Sequence, residues 1–200
     1  MRGVLVWAAL ALAVGVPVAV AATSPWLAGR SAVYVVAGFA GILGLALLLV
    51  QPLLAGGYLP GPGPMAARRW HRGLGAALVA CVLVHVIGLY ITSPQDALDA
   101  LLLVSPTPFS VYGVIGLWSV IATALLVAFR RRLRLRPATW RIVHNALAAV
   151  VVVSTVVHAL MIEGTMGAVS KGALCVAVLV VTAGTLIHLR IIGPIKAFRD

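Results

Sequence analysis

Arg69-Trp70-His71-Arg72-Gly73-Leu74-Gly75-Ala76-Ala77-Leu78-Val79-Ala80-Cys81-Val82-Leu83-Val84-His85 is the stretch on which the reading of this chain turns. Between Arg72 and His85 there is no charge, and the two histidines stand fourteen residues apart. An α-helix turns about 100° and rises about 1.5 Å per residue, so fourteen steps fall about 40° short of four full turns and climb about 21 Å. Both imidazoles therefore lie near one helix face, separated by most of a hydrocarbon core about 30 Å thick. The interval recurs once: His144 and His158 are also fourteen apart, in another apolar run.

Composition sets the solvent for these runs. Of 200 residues, 62% are hydrophobic and only 10% charged, with a mean hydropathy of +1.13. A soluble domain of this length has no interior large enough for that much apolar surface, so lipid must cover it. The runs are long and continuous, which suits helices and not the short alternating strands of a membrane barrel. The expected fold class is all-α, a polytopic bundle of six transmembrane helices forming one domain over 1–200, with spans near 4–21, 32–54, 70–91, 111–129, 141–161 and 168–191. Gly56-Gly57-Tyr58-Leu59-Pro60-Gly61-Pro62-Gly63-Pro64 breaks the chain between the second and third spans. Ser93-Pro94 reads as N-cap and first turn of a short helix, ending near Val104, that lies in the interface. Arg2, the apolar run after it and Ala19-Val20-Ala21 also have the layout of a secretory signal with its cleavage site; either reading leaves the other spans unchanged. Cys81 and Cys175 lack a CxxC neighbour and are read as buried hydrophobes.

Charge sets direction. Arg2, Arg68, Arg69, Arg72, the six arginines from Arg130 to Arg141, Arg190, Lys196 and Arg199 fall on one side of this topology, thirteen of the fifteen basic residues. The other side holds Arg30 and Lys171, with Asp96, Asp99 and Glu163. Basic loops stay cytoplasmic, which puts both termini inside and the protein in the cell (plasma) membrane. The +11 net charge is thereby explained without nucleic acid, whose recognition needs a basic patch on a soluble fold. The bilayer is the partner that composition implies.

With that topology the third and fifth spans run the same way. His71 then faces His144 near the cytoplasmic side, and His85 faces His158 near the outer side. Two levels about 21 Å apart, each offering only two imidazoles, do not suit zinc, which takes four ligands. Two trans imidazoles do complete an iron whose remaining positions a porphyrin fills, and such an iron can do little but change oxidation state. The expected chemistry is electron transfer through two haems. Arg72 and Arg141, close to the inner histidines, are expected to meet haem propionates, since guanidinium donors fit carboxylates; the bland alternative is that they anchor the loops to anionic lipid. His188 has no counterpart and is read as an interfacial residue, a spare ligand, or a flavin or quinone contact. Gly38, Gly41 and Gly44 form a small-residue stripe for helix packing.

The segments Arg69-Trp70-His71-Arg72-Gly73-Leu74-Gly75 with His85, and Trp140-Arg141-Ile142-Val143-His144-Asn145 with His158, resemble the ferric reductase-like transmembrane domain over about Ala32 to Pro194. That family includes the membrane parts of ferric reductases and NADPH oxidases and the haem subunit of a periplasmic methionine sulfoxide reductase system. The resemblance implies two b-type haems on His71, His85, His144 and His158, and electrons moving outward from a cytoplasmic reduced flavin to ferric iron, oxygen or a partner's cofactor. No GxGxxG motif follows a strand here, so FMN, FAD or a quinone is expected to come with a separate reductase or periplasmic partner protein. The sulfoxide reductase subunit type often lacks the first histidine, present here as His71. Two rivals share the same histidines. One is a quinol-linked cytochrome b with a quinone near His188 or Arg72. The other is a haem-free proton or ion transporter using imidazoles that titrate near pH 6.5 as relays, although it would ordinarily add a membrane carboxylate or a broken helix.

Overall fold

The computed structural model describes residues 1–192. Lys196 and Arg199 of the tail, and the expected limit of the family resemblance at Pro194, lie outside the described residues. Eight α-helices follow one another: α1 (Arg2–Ala22), α2 (Ala32–Ala55), α3 (Pro64–Thr92), α4 (Pro94–Leu101), α5 (Pro108–Ala128), α6 (Arg130–Leu133), α7 (Pro137–Met161) and α8 (Ala168–Ile187). A π-helical turn, His188–Ile192, continues α8. Among the described residues there is no strand, and α1, α2, α3, α5, α7 and α8 are long and apolar enough to cross a membrane. The chain is an all-α, multi-pass membrane bundle.

Prolines set the helix starts. Pro64, Pro94, Pro108 and Pro137 each occupy the first turn of their helix, where the missing N–H costs nothing and the fixed φ suits the helix. Helix α3 consequently begins at Pro64, one and a half turns before Trp70, and carries Arg68 and Arg69 on a helical stem. Ser93 does sit at the N-cap of α4, yet its hydroxyl makes no capping bond. The short helix ends at Leu101, and Leu103 takes a positive φ of 60° as the chain turns away.

Two antiparallel hairpins make the bundle: α3 runs along α2, and α7 runs along α5. Helix α8 closes the rear against α2 and α7, with α1 outside it. The sealed core sits at this rear seam, around Leu45, Val152, Val156, Leu174, Cys175 and Val178. Cys175 is fully buried as expected, whereas Cys81 is only half-buried because it faces the α2–α3 groove; both thiols are free. Large apolar side chains such as Val36, Trp118, Val153 and Val180 are more than half exposed, which only lipid can cover.

The arginines collect at one end. Gly3 of α1 approaches Pro60, and Trp7 Nε1–H donates to the Pro60 carbonyl (3.1 Å), which ties Arg2 to the α2–α3 loop. This basic end also holds the starts of α3 and α7 and the helix α6. Asp96, Asp99 and Glu163 follow the far ends of α3 and α7.

Candidate functional site

The cleft between the two hairpins is where the histidines meet. Helices α3 and α7 face each other without close backbone packing, and their histidine side chains meet between them. His71 stands opposite His144, with ring centroids 6.3 Å apart and planes at 71°. His85 stands opposite His158, at 6.5 Å and 82°. The first histidine of α3 meets the first of α7, and the second meets the second, so the two helices run parallel. Fourteen helical residues between levels keep the pairs about 21 Å apart along the bundle.

Each hairpin orients its own rings. His85 Nδ1–H donates to the Ala37 carbonyl of α2 (2.8 Å), and His158 Nδ1–H donates to the Phe109 carbonyl at the start of α5 (2.8 Å). His71 is held by Gln51 of α2: its Nδ1 lies 3.2 Å from the Gln51 backbone carbonyl and accepts at 2.6 Å from the Gln51 side-chain N–H, with that amide turned to face it. A carbonyl can only accept, so in His85 and His158 Nδ1 carries the proton and Nε2 keeps the lone pair. That is the tautomer a metal-binding imidazole uses. Ala37 and Gln51 are themselves fourteen apart, since α2 runs antiparallel beside α3 and matches its histidines turn for turn.

His144 is held otherwise. Trp140, one helical turn earlier, stacks on it at 5.0 Å with planes 7° apart, and the Arg130 guanidinium lies 4.3 Å over the Trp140 ring. His144 Nδ1 and Trp140 Nε1 are buried without a hydrogen-bond partner. Arg190 approaches the same turn: its Nε and Nη2 donate to the Asn145 amide oxygen at 2.6 Å each, with the amide turned to face them. The basic-end level is therefore cationic and has unmet polar atoms, whereas the far level is closed on itself.

The facing histidines suit a metal held in a planar chelate such as iron porphyrin on three counts. A metal–imidazole nitrogen bond of about 2.0–2.1 Å puts each ring centroid about 3.2 Å from the metal, so two trans rings would stand about 6.3–6.5 Å apart. The protonated Nδ1 atoms of His85 and His158 turn their lone pairs to Nε2. Among the described residues no three of His, Cys, Asp and Glu converge, so each level offers two protein ligands and leaves the other positions to a planar chelate.

The remaining expectations sort as follows. Arg72 and Arg141 are exposed at the basic end, one residue after His71 and three before His144. His188 is not directed to either pair; its Nδ1 shares a 2.5 Å hydrogen bond with the Tyr58 hydroxyl, and the two rings stack. Of the expected glycine stripe, Gly44 makes ordinary contact with α3 and Gly38 meets nothing within 4 Å. Gly41 instead lies against a histidine of the far pair: a Cβ there would stand 2.9 Å from His85 Nδ1. Gly113 of α5, which the sequence reading passed over, does the same to His158 at 2.8 Å. The signal was present, since Gly41 precedes His85 by 44 residues and Gly113 precedes His158 by 45.

Comparison with protein families matches the chain to the ferric reductase like transmembrane component over residues 40–155. The match spans more than half the chain and takes in His71, His85 and His144, stopping just before His158. It is shorter at both ends than the expected Ala32–Pro194. Comparison with curated proteins and with solved structures finds no match.

Proposed function

This chain belongs to the ferric reductase-like transmembrane family and is a membrane electron-transfer component; from that premise we propose that it is a b-type cytochrome carrying two bis-histidine haems. His71 and His144 would hold the haem at the basic, cytoplasmic end, and His85 and His158 the one at the far, outer end. When bound, the two irons supply one-electron chemistry, taking charge at one face and giving it up at the other. The observation that carries the reading is the repeated pair of facing imidazoles, 6.3 and 6.5 Å apart, on two parallel helices.

The chain's own residues do the rest. Carbonyls of Ala37 and Phe109 hold the Nδ1 protons of His85 and His158 and so fix ring direction, and Gln51 contacts His71 Nδ1. Apolar side chains of the two hairpins keep water from the cleft. Arg72 and Arg141 offer forked donors to haem carboxylates at the cytoplasmic end. The donor is a cytoplasmic flavin, supplied with a reductase partner, and the acceptor is ferric iron, oxygen or a partner protein outside. The protein works in the plasma membrane.

The test is a purified, haem-supplemented sample. Reduction with dithionite should give sharp visible b-type bands, and haem and protein assays should give two haems per chain. A well-inserted protein with no haem bands would end this reading in favour of a titrating transporter. Bands reducible by a quinol alone would replace the flavin donor with a quinol.

A further inference from the structure

We propose that Gly41 and Gly113 are paired positioning residues that lock the far-end histidines through exposed helix carbonyls, an inference that rests on the two-haem reading above. His85 Nδ1–H donates to Ala37 O, and the glycine is Gly41; His158 Nδ1–H donates to Phe109 O, and the glycine is Gly113. In both hairpins the glycine stands four residues after the accepting carbonyl. That offset has a physical reason. The carbonyl of residue i already accepts the N–H of residue i+4, but it keeps a second lone pair. Helical side chains lean toward the N-terminus, so a side chain at i+4 would cover the turn that ends in that carbonyl. Glycine leaves the turn bare, and a ring from the neighbouring helix settles onto it.

The fit leaves no slack. A Cβ on Gly41 would lie 2.9 Å from Nδ1 and 3.1 Å from Cε1 of His85; one on Gly113 would lie 2.8 Å from both atoms of His158. The backbones are already close here, for a Cβ on Gly88 would come within 2.6 Å of the Ala37 Cβ. Any added methyl must therefore push the ring. Two such devices, one per hairpin, fix the ring planes at 82°. The basic-end pair has no glycine of this kind, as a Cβ on Gly73 would meet nothing within 4 Å and one on Gly75 only the Gln51 side chain. His144 there has no carbonyl partner among the described residues.

Crossed imidazole planes leave the two iron orbitals that meet the rings nearly equal in energy. A ferric low-spin centre then gives one strongly anisotropic, large-g feature by electron paramagnetic resonance, whereas parallel planes give three resolved features. The far-end signal is identified in the full-length holoprotein as the one that His85→Ala abolishes. It should be of the large-g type in the unsubstituted protein. Gly41→Ala and Gly113→Ala should each move that signal and shift the midpoint potential of that centre, with the other centre unmoved as an internal control for folding. The double variant should fall from two haems per chain to one. Gly38→Ala and Gly44→Ala should leave both signals in place.

A three-feature far-end signal in the unsubstituted protein would overturn the proposal without any glycine variant. So would Gly41→Ala and Gly113→Ala proteins whose far-end signals match the starting protein, since the glycines would then serve helix packing alone. Absence of haem from the unsubstituted protein would sink the function proposed above instead.

Discussion

An imidazole inside a bilayer is expensive to keep and is retained where it has a partner or a task. Two of the four in the cleft, His85 and His158, spend Nδ1–H on a backbone carbonyl, which leaves a single nitrogen free in each of those rings. The levels share no ligand, so they should fail independently. We expect His85→Ala or His158→Ala to lower haem content from two per chain to one and to leave the spectrum of the basic-end centre intact. The check is haem and protein quantification of inserted protein, with reduced spectra. Loss of both haems in either variant would contradict the pairing. The histidines were legible because side-chain identity and spacing are written in the chain. The Ala37, Gln51 and Phe109 carbonyls were not, since every residue has one and only the fold decides which is approached. Gly113 lay between these cases, visible once the two hairpins are aligned but silent when each helix is read alone.

Two hairpins, α2–α3 and α5–α7, repeat one plan: a glycine-bearing helix pressed against a histidine-bearing one. Close approach in lipid relies on small residues, because no water is expelled between apolar helices and packing must do the work. Gly88 shows the tightest case, its missing Cβ standing 2.6 Å from Ala37 Cβ and 3.4 Å from the Val33 carbonyl. Gly88→Ala should destabilise the bundle by about 1–3 kcal/mol through overpacking. Gly73→Ala, at a helical position with open space, should be neutral or stabilising by up to about 1 kcal/mol, as alanine restrains the unfolded chain. Unfolding in mixed micelles with rising SDS, followed by helix content, would compare them; equal stability of the two variants would refute the tight α2–α3 contact. The six long apolar helices were legible from apolar run length, whereas the four-residue α6 was not, being charged and too short to leave a hydropathy signal. The starts of the long helices were not legible, because hydropathy marks where a chain enters lipid, whereas Pro64 and Pro137 start the helices several residues earlier in water-facing turns.

At the scale of the whole molecule, direction is the property that function needs. The geometry makes α3 and α7 parallel and gathers Arg2, Arg68, Arg69, Arg72, Arg130–Arg136, Arg141 and Arg190 at one end. The far end carries Asp96, Asp99 and Glu163. Charge bias of this kind is what a cytoplasmic face carries, and the orientation proposed above puts the basic end inside. An electron moving outward then runs with a negative-inside potential, gaining about 2.3 kcal/mol per 100 mV for a full crossing. The sequence made this axis legible, since loop charge decides insertion before any helix packs; which donor and acceptor stand at its ends depends on surfaces of other molecules and leaves no mark in these spans. Orientation can be tested apart from haem. In a Cys81→Ala, Cys175→Ala background, Glu163→Cys should react with a membrane-impermeant maleimide added to intact cells, and Arg132→Cys should react only after the membrane is opened. The reverse pattern would put the basic end outside, and outward electron flow from a cytoplasmic donor would then have to start at the His85–His158 level.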